Sequence, residues 1–416
     1  MIAYLKPLET EVFMANPYRD LVAIPGVMGL VIASSIARLP QAMIGIGIIT
    51  MLVQQTGLYW LAGAVAGTFT LANAVAGPQI SKRVDRLGQR RVLPVFTAFS
   101  IAMLLGLIAA SHLRADAPLL FVLAALAGTM PSMPAMTRAR WTQLFRGKPL
   151  LHTAFSLDTV LTEMAFILGP PLAIGLSTGL FAEAGPLAVA VLLAVGVTAF
   201  VLQRQTEPQV IKVDNTEAGS TWRLPGLRTI VLALLGMGVI GGAVDVAVVA
   251  FANAHGWPAS ASFILAAYAL GSLIAGLAFG AFRVAMPMAQ QFFIGILVTA
   301  ITAVLPIFSP GVYFLALMLF ISGVSFAPTM VIVMNLGTLI LPPERVTEGL
   351  TWMSTGISIG VALGGVVAGL VIDAYGARAG FAVPIAAGVV MVLIVWLGLG
   401  TLQAAAQTQS QRDFAH

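Results

Sequence analysis

Leu187-Ala-Val-Ala-Val-Leu-Leu-Ala-Val-Gly-Val-Thr-Ala-Phe-Val-Leu202 is apolar on nearly every face, with no turn signal inside it. With its flanks it reaches the roughly 20 residues that a helix needs to cross about 30 Å of hydrocarbon. A strand of a membrane barrel would be shorter and would alternate polar with apolar side chains. A helix also satisfies its own backbone hydrogen bonds where no water is present. The run therefore predicts a transmembrane helix.

Similar runs recur along all 416 residues, over 22–53, 58–80, 92–112, 117–137, 153–179, 184–203, 228–253, 259–282, 288–309, 311–341, 347–372 and 378–402. Hydrophobic residues make up 59% of the chain, charged residues only 9%, and the mean hydropathy is +0.98. These values exclude a water-soluble domain with a single core. The expected fold is an all-α integral membrane protein of 12 transmembrane helices in two pseudo-symmetric six-helix bundles. The first run starts only after Asp20, outlasts a signal-peptide core and lacks a small-residue cleavage site, so it reads as a retained helix.

Charge orients the chain. With the N-terminus placed inside, all 21 Lys and Arg residues except Arg38, Arg114 and Arg378 fall on the cytoplasmic side. The net charge of +5 is then a positive-inside signature rather than a nucleic-acid footprint. The expected organisation is a cytoplasmic segment 1–21, an N-terminal bundle 22–203, a polar cytoplasmic linker 204–227, a C-terminal bundle 228–402 and a polar cytoplasmic tail 403–416. A shift of 199 positions lays Gly57 on Gly256 and Ala76-Gly77 on Ala275-Gly276, a weak internal repeat at half-length. Lacking cysteine, the chain has no disulfides, thiolate metal sites or cysteine nucleophiles. His112, His152, His255 and His416 are scattered over helix ends, loops and the terminus, so no metal or catalytic cluster is expected.

Between the second and third runs stands Gly77-Pro-Gln-Ile-Ser-Lys-Arg-Val-Asp85-Arg86-Leu-Gly88-Gln-Arg90-Arg91. It resembles the cytoplasmic signature of the major facilitator superfamily, G-x-x-x-D-R-x-G-R-R. Asp85, Arg86, Gly88, Arg90 and Arg91 match that pattern around an extra Gln89, and Ser81 replaces its first glycine. The resemblance implies a gating loop in which Asp85 pairs with an arginine or a helix N-terminus and latches one conformation; a merely topogenic basic loop is the other reading. Ala37-Arg-Leu-Pro40, Arg138-Ala-Arg-Trp141 and the stretch from Asp158 through Glu163 to Gly169-Pro170-Pro171 resemble a bacterial efflux-type branch. Gly169-Pro-Pro171 with Gly175 is a partial likeness of the antiporter signature, which favours export, and it reads equally well as a kink or packing notch. The family's helix 4 arginine has no counterpart between Phe121 and Thr137, so proton coupling would fall to other residues.

Ionisable groups at membrane depth cost on the order of 3 kcal/mol or more and are functional candidates by default. Glu163 lies about 16 Å along its helix from His152, near mid-bilayer. It reads as a proton-coupling or substrate group, or as a hydrogen-bonded structural acid. Asp245, beside Gly241-Gly242, offers a site for a proton or a cationic solute. Arg38 cannot shed its charge and needs an acid, Asp158, Glu163 or Asp245, or an anionic ligand. Asp158 is five residues from Glu163, an offset of about 140°, so the two are no carboxylate dyad. Glu348 starts the eleventh run, where it would cap or gate. Arg138, Arg140 and Trp141 read as interfacial anchors.

These residues predict a secondary active transporter that moves a small solute by alternating access, most simply a proton-coupled exporter of drugs or metabolites in the bacterial inner membrane. It would work as a monomer among lipids, with no cofactor beyond a proton gradient. An importer or uniporter, and a sensor or scaffold without flux, are the alternatives. The clustered His and carboxylates of an intramembrane enzyme and a phosphate-cradling loop are both missing from the sequence.

Overall fold

The computed structural model describes residues 17–145, 148, 150–208, 224–281, 286–341 and 346–413. A short helix α1 (Pro17–Val22) precedes α2 (Val27–Thr56), α3 (Tyr59–Leu87), α4 (Gln89–His112), α5 (Ala117–Ala127), α6 (Met133–Phe145), α7 (Leu150–Gly179) and α8 (Ala184–Leu202). After the linker come α9 (Pro225–Ala254), α10 (Ser260–Ala281), α11 (Met288–Thr302), α12 (Val312–Ile340), α13 (Val346–Tyr375) and α14 (Ala382–Asp413). Eleven helices among the described residues are long and apolar enough to cross a membrane. Large side chains such as Val191, Leu393 and Leu397 project outward from them, as contact with lipid requires.

The expected span 117–137 is not one helix. It breaks over 128–132 into α5 and α6, because Pro131 and Pro134 withdraw backbone donors and leave carbonyls free. Those carbonyls are satisfied from neighbouring helices. The Asn73 amide donates to Gly128 O at 3.0 Å and Met130 O at 2.8 Å, and Ser100 Oγ donates to Ala127 O at 2.5 Å. Broken backbone at membrane depth is tolerable only with such partners. At the other end of the chain, α14 continues through Asp413 into the expected tail, carried by Ala404-Ala-Ala and other strong helix formers.

Helix α2 packs against α7 and α8, and α9 against α13 and α14, while α3 runs along α13 and α7 along α10. Small residues let these backbones approach. A Cβ on Gly169 would lie 2.8 Å from Ala42 Cβ, and one on Gly196 would lie 2.5 Å from Ala37 Cα. Gly169 is thus a packing notch in α7, which continues through Pro170 and Pro171.

Two ends of the bundle can be told apart. The loop end carries the turn between α3 and α4, where Gly88 adopts φ +85, a conformation that favours glycine. The far end carries the turns between α2 and α3 and after α13. There, Glu183 ahead of α8 accepts from Gln55 Nε2 of α2 at 2.6 Å and meets His112 Nδ1 of α4 at 2.7 Å, while Ser111 Oγ donates to Gln55 Oε1. The His112 contact holds the Glu183 carboxyl below its ordinary value of 4.5; burial opposes this and Gln55 assists it.

Two outcomes follow for purified protein in detergent. Asn73→Ala should cost about 1–3 kcal/mol by stranding two carbonyls, read as a lowered unfolding midpoint. Because the Glu183 value is depressed on folding, its stabilisation is complete above about pH 4.5 and is lost as the pH falls through the lowered value. Between pH 6 and pH 3 the unfolding temperature of the wild type should therefore drop more than that of Glu183→Gln.

Candidate functional site

Arg38 sits mid-helix in α2, with 1% of its side chain exposed, facing α7. Its Nη2 donates to Asp158 Oδ1 at 2.8 Å, and Nη1 donates to the Asp158 carbonyl at 2.9 Å and to Thr162 Oγ1 at 2.7 Å. Nε turns back to Ser34 O at 3.1 Å. Of the acids that sequence offered as its partner, Asp158 is the one the fold supplies. Asp158 is itself fully buried, and its second oxygen accepts from Arg138 Nε of α6 at 3.0 Å. One carboxylate therefore binds two guanidiniums, tying α2, α6 and α7 together and leaving the trio with one excess positive charge, on the half-exposed Arg138.

The broken helix is what aims α6 at this point. The reading of Arg140 and Trp141 as interfacial anchors is overturned, since both are completely buried, while the half-exposed Arg138 pairs with Asp158. Arg140 donates to Gln89 Oε1 at 2.7 Å, Gln203 O at 2.9 Å and Thr206 Oγ1 at 2.8 Å, and stacks 3.8 Å over the Phe200 ring. Gln89, the residue that interrupts the signature loop, also donates to Met136 O at 3.0 Å. The extra residue is a bracket between α4 and α6. Sequence could not distinguish this arginine from an anchor, because both end an apolar run.

Asp85, Arg86, Arg90 and Arg91 are exposed at the loop end. Among the described residues Asp85 makes no ion pair or hydrogen bond, so the conformation seen is not held by an Asp85 latch. The N-terminus of α4 is instead met by Glu207 of the linker, whose Oε1 accepts from Arg90 N at 3.0 Å. Glu348 lies in the first turn of α13, and its side chain is outside the described residues.

Glu163 and Asp245 stand apart from the arginine trio. Glu163 is half-buried in α7 five residues beyond Asp158 and on a different face, and Asp245 is partly buried in α9 between buried Val244 and Val246. No hydrogen bond or ion pair reaches either carboxylate among the described residues. Val244, the chain neighbour of Asp245, lines with Tyr268, Thr299, Thr302 and Ser322 a cavity of about 10 Å³, enough for one water, to which neither acid contributes lining. Tyr268 and this hydroxyl-lined space were invisible in the sequence, where Tyr268 lies in an ordinary apolar run.

The described residues form a helical membrane protein whose buried charges Arg38 and Asp158 are paired between packed helices. Residues 30–285 and 259–414 match the Major Facilitator Superfamily model, and the chain belongs to that superfamily. Among the solved structures that share its fold are three transporters. The peptide transporter POT in complex with sulfate has a TM-score of 0.71 at 14% identity, covering 91% of this chain and 95% of that one. The nucleoside transporter NupG has a TM-score of 0.65 at 14% identity, covering 90% and 98%. A bacterial homologue of the human lysosomal transporter Spinster, inward-facing and unoccupied, has a TM-score of 0.65 at 14% identity, covering 95% and 98%. No curated protein sequence matches the chain.

Removing one partner of a buried ion pair strands the other charge, whereas an exposed arm contributes little. Arg38→Gln should therefore lower stability in detergent by about 3–5 kcal/mol, and Arg138→Gln by about 1 kcal/mol or less. Equal losses in chemical denaturation would contradict the assignment of Arg38 as the principal partner of Asp158.

Proposed function

We propose that this protein is a proton-coupled exporter of a small solute, working by alternating access between two six-helix halves, 22–203 and 228–402. The observation that carries the reading is the pair of partly buried acids, Glu163 in α7 and Asp245 in α9, with no ion pair or hydrogen bond among the described residues. Uncompensated charge at membrane depth is expensive. A carboxyl left without a partner in each half is suited to taking a proton from one side and releasing it to the other, or to exchanging that proton for a cationic solute.

Arg38 and Asp158 play a different part in this scheme. Their mutual neutralisation makes α2 and α7 one rigid unit, so that movement of Glu163 follows movement of its whole half. Protonation of Glu163 or Asp245 changes the cost of exposing each to water or protein and so shifts which conformation dominates. In this reading both termini face the cytoplasm of a bacterial inner membrane, an orientation supported by the distribution of Lys and Arg, and the transporter acts as a monomer. Export rather than import rests on the partial antiporter signature around Gly169 and on the resemblance to efflux-type members.

The test is solute flux in reconstituted vesicles with an imposed pH gradient, across a panel of small solutes. The wild type should show gradient-driven flux with counter-movement of protons. Glu163→Gln and Asp245→Asn should each reduce that component to the level of protein-free vesicles. Flux indifferent to the gradient, or full gradient-driven flux in both variants, would sink the coupling scheme.

A further inference from the structure

At the far end, α3 begins at Tyr59, and its first backbone N–H groups have no partner within the helix. Leu58 precedes it and offers no capping side chain. The missing cap comes from 314 residues further along the chain. Asp373, in the last turn of α13, accepts from Tyr59 N through Oδ1 at 3.1 Å and from Trp60 N through Oδ2 at 2.9 Å. Both carboxylate oxygens are thus used on successive amides at the positive end of the helix dipole. The Tyr59 hydroxyl in turn accepts from Asn253 Nδ2 of α9 at 3.0 Å. Immediately inside this contact the two backbones are as close as side chains permit: Gly63 faces Gly365, a Cβ on Gly67 would lie 2.9 Å from Ala362 Cα, and one on Gly369 would lie 2.5 Å from Trp60 Cα.

We infer that Asp373 is a gating residue: its carboxylate caps α3 across the boundary between the two halves and holds the far end shut. The inference rests on the alternating-access reading, and it deepens that reading by naming one gate. Three features make the contact suitable. Asp373 is exposed, so water competes for it and the cap is weak enough to release. The glycine-lined seam contributes packing without interlocking side chains, so the helices separate without unthreading. The amides that Asp373 leaves behind can be solvated once the seam opens, so neither state strands a buried polar group. The loop-end signature makes no corresponding contact through Asp85 among the described residues.

The absence of cysteine allows a direct test. Leu113→Cys and Phe308→Cys put spin labels on two far-end positions, one in each half, that are 77% and 71% exposed. In lipid nanodiscs the unaltered latch should give mainly a short label-to-label distance. Asp373→Ala should move the population toward a longer distance by about tenfold in the equilibrium ratio, the scale of one lost cap. Asp373→Asn, which still offers an oxygen but no charge, should shift it less. If the alanine variant is not recovered folded, Asp373→Ser serves, since its hydroxyl is too short to span the contact and the same lengthening is required.

An unchanged distance distribution in a folded Ala or Ser variant overturns the latch. Lengthening on Asp373→Ala in a protein without flux for any solute would retire the transport reading and leave the latch standing. Gradient-driven flux with unchanged distances would do the reverse.

Discussion

Hydrocarbon offers no hydrogen bonds, so every polar group drawn into it must find its partner inside the protein. That constraint explains the helices themselves, and it explains the places where they depart from regularity. Where Pro131 and Pro134 break the fourth expected span, Asn73 and Ser100 arrive from neighbouring helices to accommodate the freed carbonyls. Where Arg38 enters α2, a carboxylate, a carbonyl and a hydroxyl of α7 surround it. Each exception is a tie between helices that greasy packing alone would leave free to slide.

The same constraint sorts the ionisable residues into two kinds. Arg38 and Asp158 neutralise one another while Arg138 adds a second, half-exposed arm to the same carboxylate, and Arg140 is enclosed by Gln89, Gln203, Thr206 and the Phe200 ring. Glu163 and Asp245 have no such enclosure. Rigid charge frames the bundle, and the two acids without a hydrogen bond or ion pair among the described residues stand outside that frame. The far-end contact of Asp373 with α3 follows a third pattern, in which exposure to water keeps a charged contact reversible.

Much of the fold was legible because hydropathy is a property of composition over a window, independent of what lies nearby in space. Eleven spanning helices agree in place with the expected runs, whereas the stretch Asp85–Arg91, expected as a loop, is helical in α3 and α4 on either side of a turn at Gly88. The break at 128–132 was missed because Met130, Met133 and their neighbours keep the window apolar, and only the prolines record that the helix stops. Arg140 was mistaken for an anchor because a buried and an interfacial arginine have the same sequence neighbourhood. The partner that separates the two readings, Gln89, lies 51 positions away.

By itself, then, the sequence determined that this chain lives in a membrane, roughly where it crosses, and which few residues carry charge to depth, since the cost of each depends only on residue type and span. The tertiary structure alone decided which of those charges neutralise one another, that Asp158 rather than Glu163 or Asp245 answers Arg38, and that a carboxylate at the end of α13 completes the start of α3. Pairing is a matter of distances of about 3 Å between helices far apart in the chain. Nothing local in a sequence encodes such distances.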